Sequence, residues 1–301
     1  MVSIAVALVQ LACAVCGAAD KTLPANGSEL PFEGRKRATL ELRAASFETS
    51  SRALRVTELR AQPGLATAIG PATLLAAEMP LLDRTLVLRA PAAPASGSAP
   101  VIPVRDAASP ESRTMMLGDA ELRLTHTPWR SAPAALSRRL TISAGVKLPT
   151  APLERDPSGA LVHPDLQPGC SSIVPLVSMS YAWASSLWSA WTGASLLLPV
   201  AVREGAHSGD SLRASFTMQL QPSRVLATRL GVFGRLDSTG ELDGEVVRRS
   251  GGASVHVAPE IVLSPATDVV VSFGAAFPVV QEMRGYRATT PVLLASAGVD
   301  F

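Results

Sequence analysis

Apolar and polar residues alternate along many short segments of this chain, with the two-residue period of a β-strand. In residues 212–219, for example, leucine, alanine, phenylalanine and methionine alternate with arginine, serine, threonine and glutamine. Segments of this kind, bounded by turn residues, predict about twelve strands. The predicted strands lie near residues 37–47, 53–63, 71–81, 115–127, 138–148, 172–183, 187–199, 210–221, 224–236, 252–264, 267–279 and 288–301.

The lengths of the links between these strands also alternate. Links after even-numbered strands are mostly tight, and longer ones occur only near 64–70 and 128–137. Links after odd-numbered strands are mostly long, at 82–114, 149–171, 200–209, 237–251 and 280–287. Short turns at one rim and long loops at the other are typical of antiparallel up-and-down barrels of the outer membrane, with the tight turns in the periplasm.

The carboxyl terminus supports this interpretation. Residues 290–301 alternate along one predicted strand and end on Phe301. Outer-membrane barrels end in this way, whereas a soluble sandwich rarely places an aromatic side chain where nothing buries it. Alternation alone does not separate the two folds, because an apolar strand face meets lipid in a barrel and a core in a sandwich.

Composition narrows the choice further. The chain is 47% hydrophobic with a net charge of +2, yet beyond its first twenty residues it has no apolar run that could form a spanning helix. Barrels distribute lipid-facing residues singly in this way. No Lys/Arg-rich run interleaved with aromatic residues is present, so the sequence gives no support for nucleic acid as a partner.

The amino-terminal region predicts export. Residues 1–19 read as a signal peptide without the usual basic start, residues 20–36 as a periplasmic segment and residues 37–301 as the barrel. Cleavage near Asp20 would leave Cys170 as the mature chain's single cysteine, which excludes an internal disulfide.

Three long loops have compositions suited to the cell exterior. Residues 91–110 are rich in proline, alanine and serine, which predicts an extended, mobile segment. Residues 149–170 and 237–251 carry turn formers and charges, so we expect them in solvent at the outer surface.

Aromatic residues collect near one predicted rim. All four tryptophans, together with Tyr181 and Phe301, lie at or near strand ends that the topology assigns to the periplasmic side. They predict half of an aromatic girdle at the membrane interface. The alternative is an aromatic cluster in the core of a sandwich. The tryptophans are Trp129, Trp183, Trp188 and Trp191.

The polar strand faces carry charges of both signs, which predicts a charged lumen. These charges can form ion pairs that brace the wall, or a constriction that selects solutes by charge and size, and the two roles are compatible. Twelve strands imply a narrow, partly occluded passage. The lumen candidates are Glu41, Arg43, Glu58, Arg60, Glu78, Asp119, Glu121, Arg123, Lys147, Arg213, Arg229, Arg235, His256, Glu260 and Asp300.

The histidines give little support for catalysis. We expect His163 and His207 in outer loops, His126 facing lipid, and His256 hydrogen-bonded to Glu260 in the lumen. No nucleophile motif, metal-ligand spacing, P-loop or dinucleotide fingerprint is found. The sequence therefore predicts a protein that is not an enzyme and has no cofactor or metal.

Several short motifs recur in the order seen in a known family. They are Leu117-Gly118-Asp119, Lys147-Leu148-Pro149-Thr150, Asp165-Leu166-Gln167-Pro168-Gly169, Gly209-Asp210 and Phe277-Pro278. Over roughly residues 37–301 the chain resembles the outer-membrane barrels named after the meta-cleavage pathway of phenol degradation. The resemblance implies an outer-membrane transporter. It also implies that Phe301 is the signal read by the barrel assembly machinery.

Together these features predict an outer-membrane channel of a Gram-negative bacterium, surrounded by lipid, that passes small solutes, hydrophobic or aromatic ones included. One alternative is a structural or surface-interaction barrel with a sealed lumen. The other is a secreted β-sandwich.

Overall fold

A computed structural model of the protein describes residues 36–49, 54–88, 111–131, 136–201 and 205–301. The proposed signal peptide and the proline-rich loop lie outside these residues. The strands are β1 (Lys36–Thr49), β2 (Leu54–Gly70), β3 (Thr73–Glu78), β4 (Leu81–Leu88), β5 (Glu111–Leu117), β6 (Ala120–Ser131), β7 (Ser137–Leu148), β8 (Ser172–Ala184), β9 (Trp188–Leu197), β10 (Val200–Ala201), β11 (Ala206–His207), β12 (Ser211–Leu220), β13 (Leu226–Asp237), β14 (Glu241–Leu242), β15 (Glu245–Val246), β16 (Gly252–Ala266), β17 (Val269–Met283), β18 (Tyr286–Ala288) and β19 (Val292–Asp300).

The long strands form one closed antiparallel barrel. Each pairs with its neighbours in sequence, and β1 pairs with both β2 and β19, which closes the sheet. Several strand labels belong to one pass across the barrel: β3 with β4, β5 with β6, β9 with β10 and β18 with β19. Within the described ranges the chain therefore makes twelve passes, as the sequence predicts.

The first described residue, Lys36, and the carboxyl-terminal Phe301 meet at the rim that carries the tight turns. The backbone N–H of Lys36 donates to the carbonyl of Phe301 at 2.8 Å, and Phe301 N–H donates to Lys36 O at 2.9 Å. Beside them Arg37 binds Asp300 through two hydrogen bonds of 2.5 and 2.7 Å. This bidentate pair closes the seam between β1 and β19.

The polar faces of the strands are buried and their apolar faces are exposed, which is the reverse of the arrangement in a soluble protein. Along β13, Leu230 is 52% exposed while its neighbour Arg229 is 5% exposed. The same reversal holds along β12, where the leucine and phenylalanine face is exposed and the serine, threonine and arginine face is buried. An apolar exterior around a polar interior excludes the β-sandwich, because a sandwich buries its apolar face.

Among the residues that the structure describes, no helix has both the length and the apolar character needed to cross a membrane.

The predicted strands are shorter than the observed ones in the first half of the barrel. Residues 64–70, predicted as a link, are the end of β2 and pair with β1 and β3. A Cβ atom at Gly64 would lie 2.6 Å from Thr39 Oγ1, so this glycine marks a close approach of two strands and not a turn.

Outside the barrel, β11, β14 and β15 form a small three-stranded sheet over the outer mouth. It contains much of the loop 238–251, whose residues 241–246 are mostly exposed. The prediction of a solvent-exposed outer loop is correct for this segment.

Candidate functional site

The predicted lumen residues all lie on inward-facing strand positions or at strand breaks, and most are buried. Arg43, Glu58, Arg60, Asp119, Glu121, Lys147, Arg213, Arg229, Arg235, His256 and Glu260 are each less than 9% exposed. Glu41, Glu78, Arg123 and Asp300 are partly exposed. The structure thus brings them to one interior surface, while their role in solute passage stays a prediction.

Many of these charges form ion pairs, some within one strand and some between neighbouring strands. Glu121 on β6 binds Arg123 on the same strand and Lys147 on β7, the latter at 3.3 Å. On β1, Arg43 donates to Glu41 at 2.9 Å. Such pairs fix the side chains against the wall and lower the cost of burying their charges.

Arg229 occupies the centre of a second group. Its Nη1 lies 3.2 Å from Glu260 Oε2, its Nη2 donates to Gln219 at 3.0 Å, and its guanidinium lies 5.2 Å from the ring centroid of Trp191. The prediction of Trp191 in the aromatic girdle at the periplasmic rim is wrong, because this residue occupies an inward position of β9 and is 7% exposed. The guanidinium of Arg229 lies over the face of this ring and forms a cation–π interaction with it.

The prediction of a hydrogen bond between His256 and Glu260 is also wrong. The two residues are four positions apart on β16, which separates their Cα atoms by about 13 Å at roughly 3.3 Å per residue. Glu260 instead binds Arg229, from β13. His207 lies in the small outer sheet, with its Nδ1 3.3 Å from the hydroxyl of the buried Ser172, and His126 is exposed beside Thr73.

The outward aromatic residues form a belt near the tight-turn rim. Trp129 stacks on Tyr181 at 6.2 Å between ring centroids, and Tyr181 contacts Trp183 at 5.6 Å. Trp183 in turn packs near Phe216 at 6.3 Å. These rings suit a membrane interface.

The loop between β7 and β8 differs most from expectation. Residues 150–171, here called the plug, fold back into the outer half of the barrel, while their tip at 155–160 stays largely exposed to solvent. Residues 164–171 are all buried, and the plug's one regular element is the 3-10 turn Pro164–Leu166. Leu166 and Val162 pack with Phe47, Val56 and other wall residues in an apolar cluster inside the barrel. The prediction of a solvent-exposed loop is thus correct for residues 155–160 and wrong for residues 164–171, because charges and turn formers suit a polar lumen as well as bulk water.

Asp119 holds both ends of the plug. Its Oδ1 accepts a hydrogen bond from the N–H of Ala151 at 3.1 Å, and its Oδ2 accepts one from the N–H of Cys170 at 2.6 Å. Beside it the Thr150 hydroxyl donates to the carbonyl of Gly118 at 2.7 Å. Cys170 itself is buried, and none of the described residues forms a disulfide with it.

Three of the quoted family motifs meet at this point. Leu117-Gly118-Asp119 supplies the carboxylate, Lys147-Leu148-Pro149-Thr150 leads into the plug, and Asp165-Leu166-Gln167-Pro168-Gly169 leads out of it. A Cβ atom on Gly169 would collide with the Asp119 carboxylate and would lie 2.5 Å from the Ala151 Cβ. Only glycine therefore fits at this position.

Arg84 on β4 is the second wall contact of the plug. This fully buried side chain binds the Glu154 carboxylate, donates to the carbonyl of Leu166 at 2.6 Å, and lies 3.1 Å from Glu58. Burial raises the pKa of Glu154, and the charge of Arg84 opposes that rise. Arg84 is not among the predicted lumen residues, because the third predicted strand ends at residue 81 whereas β4 continues to Leu88.

The plug is also braced internally. Gln167 accepts the N–H of Glu154 at 2.9 Å and donates to the carbonyls of Glu154 and Val162 at 3.0 and 2.7 Å. Asp165 accepts the N–H of Gly251, from the neighbouring outer loop, at 3.1 Å. Hydrogen bonds thus carry much of the plug's attachment.

Asp165 makes this attachment sensitive to pH. Burial raises its pKa to about 7, the Gly251 N–H opposes the rise, the Asp237 charge adds to it and Arg235 opposes it. His163 beside it stays neutral near pH 7, because burial lowers its pKa to about 4.

The folded pKa of Asp165 lies above its ordinary value of 3.8, so the folded plug binds more protons than the unfolded chain between about pH 4 and pH 7. Its stability therefore falls as the pH rises through this window. We expect hydrogen-exchange protection of residues 162–167, corrected for intrinsic rates, to be lower at about pH 8 than at about pH 5. Asp165→Asn keeps the acceptor for Gly251 and should abolish the difference. An unchanged difference in this variant would assign the pH dependence to another group.

Comparison with known proteins identifies the fold. No protein-family model and no curated protein sequence matches the chain. The structure is similar to the COG4313 outer membrane channel from Pseudomonas putida F1, with a TM-score of 0.68 and 12% identity, over 93% of this chain and 99% of that one. It is also similar to the transport unit of the autotransporter AIDA-I from Escherichia coli, with a TM-score of 0.51 and 8% identity, over 95% of each chain.

Fold, lipid-facing exterior and polar interior together define the class. The chain is a closed antiparallel β-barrel of twelve strands, with the apolar exterior and polar interior that define outer-membrane barrels.

Proposed function

We propose that this protein is a passive outer-membrane channel for small solutes, and that the plug is its removable closure. The observation that carries the proposal is how the plug is held. Its ends share one carboxylate, that of Asp119, and its middle is held by Arg84 and by the Gly251 N–H. The plug is attached by hydrogen bonds, by the buried ion pair of Arg84 with Glu154 and by one apolar cluster, and none of these contacts pairs the barrel strands. Such a loop can leave the lumen without disturbing the barrel's strand pairing.

The fold comparison supports a channel as well. The neighbour with a TM-score of 0.68 is itself described as an outer membrane channel. The resemblance to the phenol meta-pathway barrels points in the same direction. We propose that the chain is a member of that family.

The interior suggests which solutes would pass. Charged pairs line part of the wall, and apolar clusters inside the barrel line another part. One cluster contains Phe47, Val56 and Leu86, and another contains Val292 and Leu294. A mixed surface of this kind suits small solutes with an apolar or aromatic body better than it suits ions alone.

Solute flux into vesicles tests the proposal. The refolded protein in liposomes should admit small uncharged aromatic alcohols faster than sugars of equal size, measured by swelling rates against protein-free vesicles. No flux above the protein-free rate for any solute would refute passive passage.

A sealed barrel is the second candidate function, and the burial of residues 164–171 favours it. In that case the plug is a permanent part of the core, and the small outer sheet formed by β11, β14 and β15 provides the contact surface. The flux measurement separates the two functions, since a sealed barrel admits nothing.

The two ends of the sequence indicate how the protein is exported and assembled. We propose that residues 1–19 are removed as a signal peptide and that residues 20–36 begin the mature chain in the periplasm; the structure describes only the last of these residues. The barrel assembly machinery is the proposed partner of the carboxyl-terminal strand. Phe301 is 61% exposed at the seam between β1 and β19, where its ring is accessible.

Deletion of Phe301 should therefore lower the amount of heat-modifiable protein in the outer membrane severalfold, without reducing export. The reason is that the last strand loses both its terminal aromatic anchor and the two hydrogen bonds to Lys36. Phe301→Tyr is the matched control and should assemble normally. Full assembly of the deletion variant would refute the assigned role.

A further inference from the structure

Arg60 is a buried cation in the lumen whose guanidinium lacks a full set of partners. It lies at the middle of β2 and is 8% exposed, and its Nε has no hydrogen-bond partner among the described residues. Directly opposite it on β1 is Arg43, so two like charges occupy neighbouring positions of the same face. Like charges directly across a strand pair repel, and Glu41, which binds Arg43, offsets only one of these two charges.

The nearby acids are bound to other groups. Glu41 accepts from Arg43 at 2.9 Å, and Glu58 lies 3.1 Å from Arg84. Gln62, the next inward residue on β2, donates to Glu78. Among the residues that the structure describes, Arg60 is therefore the member of this wall whose charge is left for a bound anion to balance.

Apolar side chains flank the two arginines at the same level of the barrel. Leu82 on β4 is opposite Arg60, and Leu294 on β19 is opposite Arg43. Both leucines are buried, at 1% and 6% exposure, and Leu294 belongs to the apolar cluster that includes Val292. A ligand at this level would thus meet a cationic group and an apolar wall together.

The position of Arg60 along the lumen matters as well. Glu58, two residues nearer the outer mouth, lies beside Arg84, which holds the plug. Arg60 is hence the next inward position below the plug, where a solute that passes the plug arrives first.

We infer that Arg60 and Arg43 form a lumen subsite for organic anions, with the carboxylate of a small amphiphile bound by the guanidinium groups and its apolar body against Leu82 and Leu294. The inference rests on the proposed function in that it names the solute class of that channel. A planar guanidinium binds carboxylates through paired hydrogen bonds, which are stronger than neutral ones.

Three probes of similar size test the charge preference: phenylacetate, benzyl alcohol and benzylamine. Isothermal titration calorimetry of the refolded protein, with empty micelles as the blank, should show phenylacetate binding about tenfold more tightly than benzyl alcohol, with benzylamine weakest. This comparison uses the parent protein and needs no variant. Equal affinities for the three probes, or no binding of phenylacetate, would overturn the inference.

Two variants locate the site. Arg60→Gln should lose most of the preference for phenylacetate and should be at least as stable as the parent without ligand, because it removes a like-charge contact. Arg123→Gln makes the same charge change in the lumen, leaves Lys147 to bind Glu121, and should keep the preference. Equal loss in both variants would show only a general effect of lumen charge, and a destabilised Arg60→Gln would show a structural partner; either result contradicts the assignment.

The outcomes separate this inference from the proposed function. Phenylacetate binding with no solute flux would leave the subsite standing and refute the channel. Solute flux together with equal affinities for the three probes would leave the channel standing and refute the subsite.

Discussion

Leu230→Arg should prevent most of the protein from inserting into lipid vesicles. Leu230 lies mid-strand on β13, is 52% exposed, and has the outward-facing Met218 opposite it on β12. An arginine there would enter hydrocarbon, at a cost of about 2–4 kcal/mol near the bilayer midplane. The folded fraction, measured by heat-modifiability on gels across a urea series, should fall accordingly.

The adjacent residue supplies the control. Arg229→Leu alone should destabilise the barrel, because it leaves the buried Glu260 without its guanidinium partner. The double change Arg229→Leu with Glu260→Leu removes both charges and should insert nearly as well as the parent. If Leu230→Arg inserts as well as the double variant, the assignment of lipid and lumen faces on β13 is wrong.

Asp119→Ala should release the plug. The two buried backbone donors of Ala151 and Cys170 lose their acceptor, and an unpaired buried donor costs about 1–3 kcal/mol. We expect hydrogen exchange of residues 150–171 to accelerate at least about tenfold. The strand pairing of β7 and β8 should keep its protection, because the plug hangs from the ends of these strands.

Asp83→Ala is the matched control for this loss of a carboxylate. Asp83 pairs with Arg113 on the outer face of β4 and β5, away from the plug. Its removal should leave exchange in the plug unchanged. Equal acceleration in both variants would show that Asp119 has no special role in holding the plug.

The strand number, the closed topology and the faces of the strands could be predicted from the sequence. A barrel wall has polar residues on one side and apolar residues on the other, so each strand carries the full alternation, as residues 212–219 show. The long-loop rim and the short-turn rim followed from link lengths alone. Local pattern suffices for these features because neighbouring strands in sequence are also neighbours in space.

The interior arrangement could not be predicted in the same way. Whether a polar loop points outward or inward depends on partners distant in sequence, such as Asp119 and Arg84 for the plug. The pairing of Arg229 with Glu260, and not of His256 with Glu260, depends on the register of β13 against β16. Trp191 faces inward for a similar reason, since one position along a strand changes the face.

Ion current through single barrels tests the central claim most directly. Ala151 and Cys170 bind the same carboxylate, so a short glycine-serine link can replace residues 152–169 without straining β7 or β8. In planar bilayers this plug-deleted chain should show stable openings several times larger than the brief, small openings of the parent. If neither the parent nor a correctly folded plug-deleted barrel conducts ions, the result contradicts the channel. It would then identify a lumen sealed by its own wall.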